Sequence, residues 1–404
     1  MSLYGLYNHP EAGGEYATPR FGHPKDGRTD LRQVQAGLAV SADGGIPVLA
    51  RAYDGGAAEI SQVDEAMRAM RDLAGPRRFL LVGDRKLVSY RNLTAIDETG
   101  VRFVAPAPRS IVPPAVLATQ DVATAAIVHY VPAREADLFA HQRDLHRVRE
   151  GTVTLNGPTA ADPPATYRAV FAHSARRAQA SRTAREAAIE KARTDLARVH
   201  RTLGGRYYRD TDAVDTRVAK ITAERKVGRW LRVHTDTDLD TGKPLLVWHF
   251  DAETLAVDEN ADGWFALLTN LTTDEADADE VLVTYKGQEA VERRYSALKG
   301  PLGIAPVFLQ NPKRIHGLIH LLCLSLLVWA LIEREARRAA GPSGKVPGLY
   351  ARRPAVPTTL LIVRALAPMR LVPGRDGQPG YIPRPTPLQQ RVLDLLGVDP
   401  THPP

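Results

Sequence analysis

Residues 285–302 read YKGQEAVERRYSALKGPL, and this stretch decides the fold. Read as helix, Tyr285, Gln288, Glu292, Tyr295 and Lys299 recur every three or four positions and fall on one face. A carboxylate set between two tyrosines and followed by a lysine can serve two ends. It can be an amphipathic surface helix with a Glu/Lys pair, or a row of polar groups aimed at a ligand.

The spacing resembles the signature of DDE-class transposases of the insertion-sequence-four type: Tyr, two residues, Arg, three residues, Glu, six residues, Lys. Tyr285, Glu292 and Lys299 match it. Gln288 departs from it, with an uncharged amide where that family has Arg. Gly300-Pro301-Leu302, Pro306-Val307-Phe308, Pro312 and Arg314-Ile315 downstream are similar to the same family, as are Asp262-Gly263 and Thr269-Asn270 upstream. The resemblance covers residues 20–105 and 260–335 well, and the middle and tail weakly.

Working outward, residues 35–40 and 46–52 read as two strands around Ala42-Asp43-Gly44-Gly45, a turn rich in residues that tolerate positive φ. A helix follows over 57–73, with Ile60, Val63, Met67 and Met70 at helical spacing, and Gly75-Pro76 ends it. Residues 79–83 read as a short buried strand ending at Asp84; 90–98 read as helix and 101–105 as strand. Hairpin, helix, strand, helix, strand is the order of a mixed α/β sheet with helices packed on it. An Asp at the end of such a strand either caps the next turn or stands at the sheet rim, where sites gather in open α/β folds.

From 109 the rhythm changes. Residues 134–149 are helical in pattern, and a Pro-rich loop follows around 158–164. A long Ala/Arg helix is expected over 172–203. Between 176 and 201 it holds eight Lys or Arg against three acids, which fits either a solvated face or a contact to a DNA backbone. Residues 231–233, 244–250 and 264–269 read as strands, and 274–299 as one or two helices. After a connector at 301–312, the run 315–332 is apolar enough to raise a membrane span. His316, His320, Ser325 and the charges from Glu333 favour a buried core helix instead. From 341 the chain is rich in Pro and Gly, with eight basic residues against three acids; a loosely ordered extension with one short helix at 387–396 is expected.

The domain reading is therefore 1–108, first part of the core; 109–262, an inserted α+β region; 263–340, second part of the core; and 341–404, a basic Pro-rich extension. The net charge of +7 favours a polyanionic partner. The single cysteine, Cys323, excludes an intramolecular disulfide and a Cys-based zinc site. A reducing cytosol fits, and residues 1–10 lack the pattern of a signal peptide.

The resemblance implies a ribonuclease H-like α/β fold in which two Asp and one Glu hold two Mg²⁺ (or Mn²⁺) ions ~4 Å apart and transfer phosphoryl groups at DNA ends. Carried over, Asp84 and Glu292 are the metal ligands, and Tyr285, Gln288 and Lys299 face the DNA. The implied partners are double-stranded DNA, as terminal repeats and target, and a second copy of the chain; no membrane is implied, and the place is the bacterial cytoplasm with its nucleoid. Ser2, Leu3 and Tyr4 are similar to the end of the family's opening pattern, Asp-x-Thr-Ser-Leu-Tyr. The first Asp is accordingly expected before Met1, with this chain truncated and impaired in cleavage. Asp26, Asp30 and Asp43 are the substitutes inside the chain.

Overall fold

The computed structural model describes residues 1–5, 7, 16–22, 29–57, 59–132, 135–304, 306–341, 343–370, 372–374 and 380–401. The chain divides into two compact units, Met1–Arg77 with Gly287–Pro404, and Arg78–Lys286. The first unit opens with β1 (Ser2–Gly5), β2 (Arg32–Val40), β3 (Pro47–Asp54) and α1 (Glu59–Ala74). The second begins with β4 (Leu80–Val82), α2 (Tyr90–Glu98), β5 (Arg102–Pro106), α3 (Pro114–Ala118) and β6 (Ala126–Val128). It continues with β7 (His146–Leu155), β8 (Ala165–Ser174), α4 (Ala175–Arg201), α5 (Thr211–Arg225), β9 (Leu231–Thr237) and β10 (Pro244–Phe250). It closes with α6 (Ala252–Ala261), β11 (Trp264–Thr269) and α7 (Ala278–Lys286). The chain then returns to the first unit with α8 (Glu289–Lys299), α9 (Pro312–Ala339), β12 (Val346–Tyr350), β13 (Arg353–Ala355), α10 (Thr359–Leu366) and α11 (Pro387–Leu395).

In the first unit, β1, β2 and β3 form an antiparallel sheet in that order. The β2–β3 hairpin turns where the sequence placed the turn, with Gly44 at φ 75° and Gly45 at φ 63°. A side chain at Gly44 would lie 2.8 Å from Arg334 Cδ, so the turn needs glycine for both backbone and space. Leu3, Val34 and Ala36 pack with Leu298, Ile304, Ile315 and Leu326 in the core of this unit.

In the second unit the strand order is β4-β5-β11-β8-β7-β6. β4 runs parallel to β5, and the remaining neighbours are antiparallel. The result is a mixed α/β architecture, a curled mixed six-stranded sheet with flanking helices, consistent with a ribonuclease H-like fold. Val104, Val148, Val170, Leu267 and Leu282 meet in its core. Asn270 ties the sheet's end together: it donates to Asp97 (2.8 Å) and the Val101 carbonyl (2.9 Å), and accepts from Phe103 N–H (2.9 Å). A second cluster joins α4 and α5 to the β9–β10 ribbon through Leu196, Val199, Val218, Ile221 and Leu246.

Three expectations are corrected. The helix expected over 134–149 is a 3-10 turn at Ala140–Gln142 followed by β7; residues 133–134 lie outside the described residues. The β-branched residues Val148, Thr152, Val153 and Thr154 pair along the whole length of β8, and that pairing overrides the helix-forming Ala and Leu before it. The tail is more ordered than expected. Beside α11, α10 and the β12–β13 hairpin build a core with Val346, Leu349, Ile362 and Val392. α9 is long and apolar enough to cross a membrane, and 28% of its most apolar stretch is buried, less than is expected of a core helix. Ile315, Ile319, Leu326 and Ala330 are buried, while Leu321, Leu324, Val328 and Leu331 are exposed.

Candidate functional site

Asp84 stands just beyond the C-terminal end of β4, in the second unit. The strand is pinned by parallel pairing to β5, and Gly83 N–H donates to the Val104 carbonyl at 3.1 Å. Asp84 is exposed, and its Oδ1 accepts the Lys86 N–H at 2.9 Å, a local turn that aims the next residues, Leu87 and Val88, into the core. Ser89 then caps α2 through Asn92 N–H. The carboxylate is thus held by rigid elements while facing solvent, which suits both a turn cap and a ligand. Tyr285, in the last turn of α7, is half-buried with its ring 6.3 Å from that of Phe265.

The other motif residues belong to the first unit. α7 ends at Lys286 and α8 starts at Glu289, with Gly287 between them. The expectation that Tyr285 shares one helix face with Glu292 and Lys299 is therefore corrected. Glycine carries the highest backbone entropy cost in a helix, and here the helix stops beside it. Gln288 is the N-cap residue of α8 and makes no side-chain capping bond. Glu292 lies in the first turn and Lys299 in the last; both are exposed, and each has the sign the helix dipole favours at its end.

One buried group in this motif escaped the sequence reading. Arg294, 2% exposed, donates from Nε to the Gly45 carbonyl (2.8 Å) and from Nη2 to the Gly44 carbonyl (2.5 Å). Its Nη1 lies 3.5 Å from Glu333 Oε2 on α9. The helix bearing Glu292 is thereby fastened to the β2–β3 turn and to α9. No local pattern signals this, because an Arg two residues after a Glu looks like a surface charge.

Of the substitute aspartates, Asp26 lies outside the described residues. Asp30 is exposed in a turn. Asp43 is engaged by Arg334, whose hydrogen bond holds its carboxyl below the ordinary range. Among the described residues no three His, Cys, Asp or Glu gather as a metal site. Asp84 in the second unit and Glu292 in the first are each exposed carboxylates, the oxygen donors that hard cations take. Asp262, part of the family resemblance, is a structural residue, gripped at both oxygens by buried Arg185 (3.0 and 2.6 Å).

A separate polar cluster sits in the second unit. Asp144 accepts from Ser174 Oγ (2.6 Å) and Arg176 N–H (3.0 Å), and buried His146 has Nε2 3.5 Å away. Burial would raise the Asp144 carboxyl, but these hydrogen bonds, with the charges of His146 and Lys286, carry it below its usual value. Burial lowers His146, as does Lys286, against the pull of Asp144 and Glu135; burial likewise lowers His173. With folded values below the unfolded ~6.5 of histidine, the unfolded chain takes up protons first, so stability is lost as pH falls below about 6.5. Urea unfolding followed through this unit is expected to give a lower midpoint at about pH 5.5 than at pH 7.5, and His146→Gln should shrink the difference. An identical pH response in the variant would remove His146 as a source.

An exposed Asp thus follows the parallel strand β4 of the mixed sheet, and a Tyr-Glu-Lys segment of fixed spacing lies further along the chain. The chain belongs to the transposase DDE domain family: the family model matches residues 9–328, a span that includes Asp84, Tyr285, Gln288, Glu292 and Lys299. The family implies transposase function, nuclease and strand-transferase chemistry, a DNA substrate and a divalent metal ion. No curated protein matches the chain.

Proposed function

We propose that this chain is a DNA transposase of the insertion-sequence-four type that cleaves and joins DNA at insertion-sequence ends by phosphoryl transfer. The observation that carries the reading is the equal spacing of Tyr285, Glu292 and Lys299 inside the family span. Asp84 and Glu292 would hold Mg²⁺ or Mn²⁺, which when bound supplies Lewis-acid stabilisation of charge on the phosphate oxygens. Tyr285, Gln288 and Lys299 would position the DNA, Lys299 as a point charge on a phosphate. Residues 109–262 would be an insertion into the core, with β7 and β8 continuing its sheet. The working form would be a homodimer holding two DNA ends in the bacterial cytosol. A second reading, binding of DNA ends without cleavage, is favoured by Gln288, which lacks the positive charge the family signature carries at this place.

The test is nicking of a plasmid bearing the element's terminal repeats, with Mg²⁺ and with chelator. It is run on this 404-residue chain and on a form extended upstream by a segment carrying Asp. Mg²⁺-dependent nicking by either form, confined to the repeats, is the expected result. Binding of the repeats with no nicking by either form leaves the second reading, and no binding of the repeats ends both.

A further inference from the structure

α4 has two unlike sides. Ala192, Leu196 and Val199 face the core, with Arg185 and Asp195 buried on that side and paired to Asp262 and Arg225. The opposite side is a fully exposed stripe at helical spacing. Along one line of it stand the cations Arg176, Lys191, Arg198 and Arg201 with Ala180, Thr183, Ala187 and Thr194 between them, and beside that line the exposed side also holds Arg177, Arg182 and Arg193 against Glu186 and Glu190. Arg176 is paired with Glu135 (2.5 Å), whereas Lys191, Arg198 and Arg201 make no ion pair among the described residues.

Two open grooves flank this stripe, one at each end. The first, of about 680 Å³, is lined by His141, Arg143, Arg176, Gln179 and Thr183 among others. The second, of about 540 Å³, is lined by Thr194, Ala197, His200, Arg201 and Trp248. A protein helix docking here would want Leu or Ile on the stripe, and none stands there; the exposed side carries the opposite-charge i,i+4 pair Arg182 with Glu186, and its remaining charges are mostly cations. From Lys191 to Arg201 the cations without an ion pair span ~15 Å at ~1.5 Å per residue. Small side chains between the cations let a phosphate backbone come close to the helix.

We propose that the outward face of α4 binds the phosphate backbone of duplex DNA without regard to sequence, with Lys191, Arg198 and Arg201 as its contacts. The proposal rests on the transposase reading and assigns it a DNA-holding surface away from the carboxylates. The experiment measures binding of the full chain to a random duplex and to one carrying an element end, across salt concentrations. The triple variant Lys191→Glu, Arg198→Glu, Arg201→Glu is expected to weaken both complexes by the same factor, tenfold or more. It should also flatten the slope of log affinity against log salt by ~2.7, since each phosphate contact contributes ~0.9. Glu190→Lys, on the same exposed side, is expected to strengthen both complexes and steepen the slope by ~0.9. Unchanged affinity and slope in the triple variant, with the parent chain binding both duplexes, overturns this proposal alone. A loss confined to the element-end duplex also overturns it, since that is sequence readout. A parent chain that binds neither duplex sinks the transposase reading together with it.

Discussion

Glu292→Gln is expected to reduce Mg²⁺-dependent nicking about a thousandfold or more relative to the same chain with Glu292, and to leave DNA binding intact. Holding a metal ion at the scissile phosphate is worth several kcal/mol of transition-state charge stabilisation, and ~4 kcal/mol is a factor of about a thousand. Gln keeps the shape of Glu and removes its charge. Glu292 is exposed in the first turn of α8, so the swap costs the fold only the ~0.3–1 kcal/mol of a favourable helix-end charge. The same reasoning selects Asn at Asp84. Asn can still accept the Lys86 N–H that shapes the turn after β4, so Asp84→Asn tests the charge and not the turn. The rival account, in which Glu292 only complements the helix dipole and Asp84 only caps a turn, predicts parent-like nicking from both variants. Parent-like rates measured on repeat-bearing plasmid, with melting temperatures unchanged, would decide for that account.

The parts of this fold written in local pattern were legible in the sequence. The β2–β3 hairpin was marked by Asp43-Gly44-Gly45, α2 and β5 by short runs with clear ends, and β9, β10 and β11 by apolar or alternating stretches. What failed were segments whose structure is set by distant partners. Ala133 to Gln142 holds good helix formers, yet β7 follows at once because β8, some twenty residues on, offers a full-length partner. The eight residues TLLIVRAL of α10 were hidden by the Pro and Gly around them. Their clue was Thr358, which caps the helix at Leu361 N–H, and Ile362, which is buried in one cluster with Ala336 of α9. The carboxylates of the candidate site were found by spacing and resemblance. The arginine that fastens one of them was not, since its acceptors lie about 250 positions away in sequence.

That arginine carries the largest expected stability effect. Arg294→Met should lower the stability of the first unit by ~3 kcal/mol, the lower part of the ~3–5 kcal/mol typical of removing one partner from a buried ion pair. The lower part applies because Glu333, 4% exposed, keeps Arg337, whose Nη2 lies 2.8 Å from Oε1 in an ion pair without hydrogen-bond alignment. The loss has two sources, an under-compensated Glu333 and the Gly44 and Gly45 carbonyls that no longer receive a charged donor. Arg294→Lys should fall between, because an ammonium cannot span two carbonyls and a carboxylate as the planar guanidinium does. Adding Glu333→Met to Arg294→Met should restore part of the loss, since an apolar pair of similar volume avoids burying a charge. Denaturant unfolding compares these proteins, and Glu333→Met alone, measured beside them, closes the cycle. A midpoint for Arg294→Met equal to that of the parent would mean the buried clamp contributes nothing, and a double variant no more stable than Arg294→Met would place the whole effect in the hairpin carbonyls. If the clamp also sets the aim of α8, the Arg294→Lys protein, still folded, will need more Mg²⁺ than the parent for half-maximal nicking, because the helix that presents Glu292 is then held less firmly.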